Sequence, residues 1–143
     1  MILVSACLMG ENVKYNGENN YSEKIAEFLK DKEYVLVCPE VLGGLSIPRD
    51  PSEIIKDKVI SKTGKDVTKN FELGALQALE IAKQNKVTMA ILKQSSPSCG
   101  FGKIYDGTFK NTKIKGNGKT TELLLKEGIK ILTEEDFVWF LQG

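Results

Sequence analysis

Four short apolar runs, separated by segments of helical periodicity, limit this chain to one kind of architecture. They cover residues 2–6, 34–37, 87–92 and 129–132. Each has strand length and is apolar nearly throughout, as a strand covered on both faces requires. Between them lie helical patterns. Ile25, Ala26, Phe28 and Leu29 follow a capping Ser22, while Phe71, Ala75, Ala78, Leu79 and Ala82 follow Asp66 or Thr68. A further helix is predicted over residues 119–127, and a last one after Thr133, which forms a capping-box pattern with Asp136. Strands alternating with helices predict an α/β fold with a Rossmann-like parallel sheet of about four strands and flanking helices. The 143 residues suit a single domain, 1–143. Pro39 ends the second strand. Residues 40–65 read as a long irregular stretch, apart from a hairpin arm at Lys58–Ser61.

Two counts narrow the chemistry. The chain has no histidine, which excludes Ser-His-Asp and Cys-His catalysis and any imidazole metal site. It has three cysteines, an odd number that no disulfide framework can use in full. A net charge of +1 argues against binding a nucleic-acid duplex, and the lysine-rich residues 110–119 read as a solvated loop. No apolar run is long enough to cross a bilayer, and the first residues are apolar without a basic leader. The cytoplasm is therefore the expected compartment, without membrane association.

The cysteines fall at equivalent places. Cys7 follows the first strand, Cys38 the second, and Cys99 lies seven residues beyond Leu92, on the loop leaving the third. Ligands of open parallel sheets bind beyond the carboxyl ends of the strands, so all three thiols are expected at one edge. Soft thiolates select zinc, copper(I) or iron–sulfur clusters. Structural zinc takes four ligands, commonly from C-x-x-C pairs, and no such pair exists here. On an iron–sulfur cluster, three cysteines would leave one iron open to a substrate.

The neighbours of the cysteines carry further candidates. Glu40, two residues after Cys38, is placed for general acid–base work, and Ser95, Ser96 and Ser98 crowd hydroxyls before Cys99. Gly43, Gly44, Gly100 and Gly102 permit close backbone approach to a ligand. Arg49 is the only arginine; it could hold an anionic or carbonyl group, or tie down its loop by pairing with Asp50 or Asp66.

Taken in order, these segments resemble one family along nearly the whole chain. The motifs are Val4-Ser5-Ala6-Cys7-Leu8-Met9-Gly10, Cys38-Pro39-Glu40 through Gly43-Gly44-Leu45 to Pro48-Arg49, and Gly64-Lys65-Asp66-Val67-Thr68. Leu92-Lys93 with Ser96-Pro97-Ser98-Cys99-Gly100, and Ile104-Tyr105-Asp106-Gly107-Thr108-Phe109, complete the set. The family is a bacterial one, once of unassigned function, that includes the thiouracil desulfidases. The resemblance implies a [4Fe-4S] cluster held by Cys7, Cys38 and Cys99, and a non-redox reaction that removes sulfur as sulfide from a thiolated nucleobase such as thiouracil. In that reaction Glu40 is the implied base or proton shuttle for the attacking water. The implied catalytic serine is Ser96, with Ser98 as second choice. Gly43, Gly44, Arg49, Lys93 and Tyr105 are the implied substrate contacts. One loop departs from the family: Lys14-Tyr15-Asn16-Gly17 stands where relatives often read Arg-Tyr-Asp-Gly. The implied partner is a small thiolated substrate; a homodimer is left open beside a monomer.

Three other readings compete. A zinc hydrolase of the deaminase kind fits Cys38-Pro39-Glu40 but lacks the final cysteine, since Gly100, Phe101 and Gly102 follow Cys99. Gly116-Asn117-Gly118-Lys119-Thr120 resembles the tail of a phosphate-binding loop, but Lys113 stands where that loop needs glycine, and a capped helix start is favoured. A non-catalytic iron–sulfur or redox-sensing protein would share the thiols and have no use for Glu40 or the serines.

Overall fold

A computed structural model describes residues 1–137. Its centre is a four-stranded sheet of β1 (Ile2–Ser5), β2 (Tyr34–Val37), β5 (Met89–Leu92) and β8 (Lys130–Thr133), in the order β2-β1-β5-β8. All three pairings are parallel, with Val4 opposite both Leu36 and Ile91. The four apolar runs are thus the four sheet strands, and the expected α/β architecture holds.

Both faces of the sheet are covered, which explains why its strands are apolar nearly throughout. Leu3, Ala90, Leu92 and Ile131 face α3 (Thr68–Gln84) and α4 (Lys119–Lys126), packing with Ala82 and Leu124. Ile2, Val4 and Ile91 face the other side, against Ile25 and Leu29 of α1 (Glu23–Leu29). Phe137, in the 3₁₀ turn Glu134–Phe137, packs edge-on to Phe28 with ring centres 5.1 Å apart. Successive strand residues point to opposite faces, so each layer of the core reads every second residue.

The local signals at the helix ends are realised. Ser22 Oγ accepts from Ile25 N at 3.3 Å and caps α1. Thr133 N donates to Asp136 Oδ2 at 2.8 Å, and Glu135 N donates to Thr133 Oγ1 at 3.3 Å. This is the reciprocal pattern of a capping box, but the turn it opens is 3₁₀ as far as Phe137. The remainder of the last predicted helix lies outside the described residues.

The stretch between β2 and α3 is more ordered than the sequence indicated. Pro39 ends β2 and also starts a helix, α2 (Pro39–Leu42), whose N-cap is Cys38. Proline suits that place because its missing N–H falls where a helix has no acceptor for one. Beyond it, β3 (Ser52–Ile55) and β4 (Lys58–Ser61) form the expected hairpin, over a small core of Val59, Val67 and Phe71. A second hairpin, β6 (Lys103–Tyr105) with β7 (Lys113–Lys115), occupies part of the lysine-rich stretch read as a loop. β7 is exposed along its length, so it carries no apolar pattern by which it could have been recognised. Among the described residues no helix is long and apolar enough to cross a membrane.

A candidate thiolate site at the sheet edge

The strand order fixes where a ligand can bind. From β1 the chain moves to β2 on one side, and from β5 to β8 on the other. The crevice between the carboxyl ends of β1 and β5 is therefore a topological switch point. Cys7 lies in the 3₁₀ turn Ala6–Met9 directly after β1, Cys99 in the loop after β5, and Cys38 at the junction of β2 with α2. All three line one cavity of about 470 Å³, together with Glu40, Arg49, Lys93, Ser96, Ser98 and Tyr105. Gly43 and Gly44 are not among its lining residues.

Those two glycines serve another purpose. A Cβ on Gly43 would come 1.9 Å from the Asn70 carbonyl oxygen, and one on Gly74 would come 1.9 Å from that of Pro39. α2 and α3 therefore touch backbone to backbone. Asn70 Nδ2 completes the contact by donating to Gly43 O at 2.9 Å. The close approach predicted for Gly43 is real, but its partner is a helix. Gly44 has a left-handed φ of 91°, which lets the chain turn out of α2.

Hydrogen bonds aim at the sulfurs. Asn20 Nδ2 donates to Cys7 Sγ at 3.5 Å, and Ser5 Oγ donates to Cys99 Sγ at 3.5 Å while accepting from Lys93 N at 3.0 Å. The Cys38 thiol faces Val13 O at 3.9 Å. Burial pushes the Cys99 thiol up from 9.0 to about 12, outweighing the bond from Ser5. Burial also raises Cys7 and Cys38, with Asn20 opposing the shift at Cys7. The bare protein thus holds neutral thiols, and a soft cation would release their protons.

The Cys99 shift carries a sign for stability. As pH rises past the ordinary thiol value, Cys99 ionises in the unfolded chain first. Its contribution is complete below about pH 9 and is lost as pH climbs toward 12. The urea midpoint of the cofactor-free, reduced protein is expected to be lower at about pH 10 than at about pH 8, and Cys99→Ala to flatten that fall.

Beside the thiols runs a directional chain of polar groups. Cys99 N donates to Ser96 Oγ at 2.7 Å, the Ser96 and Ser98 hydroxyls are 3.2 Å apart, and Ser98 Oγ donates to Glu40 Oε2 at 3.0 Å. Each hydroxyl has one proton. With Ser98 committed to the carboxylate, Ser96 supplies the proton between the two serines. Ser98, the second choice from the sequence, is therefore the hydroxyl on Glu40, while Ser96 anchors the Cys99 peptide.

The other carboxylate oxygen, Oε1, accepts from Arg49 Nε at 3.2 Å. Arg49 also donates to Val13 O at 2.8 Å and to Ser46 O at 3.1 Å. It does not pair with Asp50 or Asp66: Asp50 accepts from Thr63 and Asp66 from Thr68. The single arginine is the keystone of the Glu40 rim. Lys93 lines the cavity but has its Nζ 2.8 Å from Glu134 Oε2 and 3.1 Å from Gln94 O.

The loop bearing Cys99 is held by groups the sequence did not single out. Gln94 Oε1 accepts from the backbone of Ser95 and Phe101, and its Nε2 donates to Phe101 O. α4 clamps the loop from below. Lys119 N donates to Pro97 O, Thr120 N to Ser98 O and Thr121 Oγ1 to Cys99 O, each at 2.9 Å. A Cβ on Gly118 would come within 2.4 Å of the Ser98 carbonyl. These amides are the ones a phosphate would need, and carbonyls of the cysteine loop already hold them. The Gly116–Thr120 motif is a helix start fitted to the Cys99 loop.

Among the described residues, no three His, Cys, Asp or Glu side chains come together as ligands of one metal ion. The three thiols nevertheless line one cavity. The donor set, three soft sulfurs with N–H and O–H donors aimed at two of them, fits an iron–sulfur cluster.

Known proteins are similar to this chain over nearly its whole length. The family model of 2-thiouracil desulfurase matches residues 2–136. The uncharacterized protein YbbK of Bacillus subtilis (strain 168) is 43% identical over 146 residues, covering 95% of this chain and 97% of that one. The solved structure of a [4Fe-4S]-dependent thiouracil desulfidase, TudS, has a TM-score of 0.88 and 38% identity to this chain, covering 99% of it and 97% of TudS. This chain belongs to the 2-thiouracil desulfurase family.

Proposed function

We propose that this protein is a desulfidase, releasing sulfide from a thiolated nucleobase such as thiouracil, with a [4Fe-4S] cluster held by Cys7, Cys38 and Cys99. The carrying observation is that three thiols and the Ser96–Ser98–Glu40–Arg49 chain line the same cavity. Bound by three thiolates, such a cluster supplies one iron without a protein ligand, a soft Lewis acid suited to a thiocarbonyl sulfur. The reaction is a hydrolysis: water and C=S give C=O and hydrogen sulfide, with no electrons gained or lost.

The chain's own residues then have distinct work. Glu40, at the cavity wall, takes a proton from the attacking water and returns it to the departing sulfur. Arg49 on Oε1 and Ser98 on Oε2 fix the rotation of that carboxylate, so the proton moves along a set direction. Ser98 passes protons between Glu40 and the Cys99 side of the site. Tyr105, with Tyr15 and Phe109, offers aromatic walls for a flat ring. A compartment that keeps thiols reduced, such as the cytoplasm, suits a chain with three exchangeable cysteines.

A zinc hydrolase of the deaminase kind is disfavoured because Gly100, Phe101 and Gly102 follow Cys99 where its last cysteine is needed. A sensor would have no use for a carboxylate held at both oxygens beside its thiols. The test is sulfide release from 2- or 4-thiouracil by protein reconstituted without oxygen. Stoichiometric uracil and sulfide, with no reductant consumed, are expected. A loaded cluster that yields no sulfide from any thiolated pyrimidine would overturn the reading.

A further inference from the structure

The cavity contains a second carboxylate, which none of the chemistry above uses. Glu53, on β3, lines the cavity and is only 8% exposed. Its Oε1 accepts two backbone N–H groups, from Gly107 at 2.9 Å and Phe109 at 3.1 Å. No lysine or arginine among the described residues pairs with it, and its Oε2 has no partner there. That oxygen is not among the fully enclosed polar atoms, so it stays accessible to a donor on a ligand in the cavity.

The loop that Glu53 holds is built around it. Phe109 has a φ of 57°, a left-handed conformation rare for an aromatic residue. Gly107 has a φ of 94°, and a Cβ there would come 2.4 Å from Ile55 Cγ1. The two bonds to Oε1 hold this bent loop against β3, placing Phe109 on the cavity wall with Tyr105. Tyr105, Phe109 and Glu53 line the same cavity, so aromatic surface and a carboxylate acceptor are offered to one ligand.

Building on the desulfidase reading, we propose that Glu53 determines specificity: its Oε2 accepts the imide N–H of a uracil-type ring and rejects rings with a lone pair there. Uracil and thiouracil carry that N–H at N3, whereas cytosine and 2-thiocytosine carry a bare nitrogen. A carboxylate facing that nitrogen's lone pair is repelled and left unpaired, which is the strongest form of discrimination a polar pocket has.

The diagnostic variant is Glu53→Gln. Because two backbone N–H groups hold Oε1 as an acceptor, the amide oxygen of glutamine takes that place and keeps the loop. Its NH₂ must then occupy the Oε2 position, turning an acceptor into a donor. Titration calorimetry of the cluster-loaded protein with uracil and with cytosine reads binding without turnover. Wild type is expected to bind uracil and to disfavour cytosine. Glu53→Gln is expected to weaken uracil by about tenfold or more and to gain affinity for cytosine. The same inversion should appear in the KM values for 2-thiouracil and 2-thiocytosine, with visible absorption unchanged. Equal effects on both rings, an unchanged uracil affinity, or no uracil binding by wild type would each overturn the assignment. Inverted binding without sulfide release would leave Glu53 standing and sink the desulfidase reading instead.

Discussion

Replacing Glu40 with alanine is expected to lower sulfide release from thiouracil by about 10²–10⁴-fold while the reconstituted protein keeps its visible absorption. The size follows from what is lost: the carboxylate that takes the water proton, held at one oxygen by Arg49 and at the other by Ser98. Glu40→Gln separates charge from shape. It can still accept from Ser98, but it cannot take up a proton as a carboxylate does, so its loss should approach that of alanine. Ser98→Ala removes one of two groups orienting Glu40 and should cost less than either. Loss of absorption together with activity in Glu40→Ala would make the residue a brace for Arg49 and the loop beyond α2. Absorption retained with full activity would remove it from the mechanism.

The second large effect is on folding. Gly74→Ala lies in the middle of α3, where alanine ordinarily favours a helix by about 1 kcal/mol over glycine. Here the sign reverses. The new Cβ would meet the Pro39 carbonyl oxygen at 1.9 Å and its carbon at 2.8 Å, and backbone cannot swing aside as a side chain can. α2 must move away from α3, at a cost of about 3 kcal/mol. Urea denaturation reads this directly as a lower midpoint with an unchanged slope. Because α2 begins at Cys38 and carries Glu40, the variant should also retain iron poorly. An unchanged or raised midpoint would mean that the two helices are not in backbone contact.

What the sequence could disclose followed from distance along the chain. Sheet strands and caps are local patterns, and each was readable: the apolar runs, Ser22 before Ile25, Thr133 with Asp136. The cysteines were readable because the fold class puts strand ends at one edge, so three local positions implied one site. Contacts between distant segments had no such signal. Ser5 reaches Cys99 across 94 positions and Ser98 reaches Glu40 across 58. Nothing local to Ser5, Gln94, Thr121 or Glu53 marks them as supports of the site. Glycine was ambiguous for a physical reason, since Gly43 permits close approach without specifying whether a ligand or a helix approaches. Arg49 was left open between a ligand and a loop tie to Asp50 or Asp66, and the fold offered Glu40, already positioned by α2.

The proposed chemistry depends on the three cysteines holding an iron–sulfur cluster, and metal analysis tests that most directly. Protein reconstituted with iron and sulfide in the absence of oxygen should contain about four irons and four sulfides per chain, with broad visible absorption. Replacement of Cys7, Cys38 or Cys99 by serine should abolish both. A colourless protein binding one zinc per chain, or iron retained in full after any of the three replacements, would contradict it.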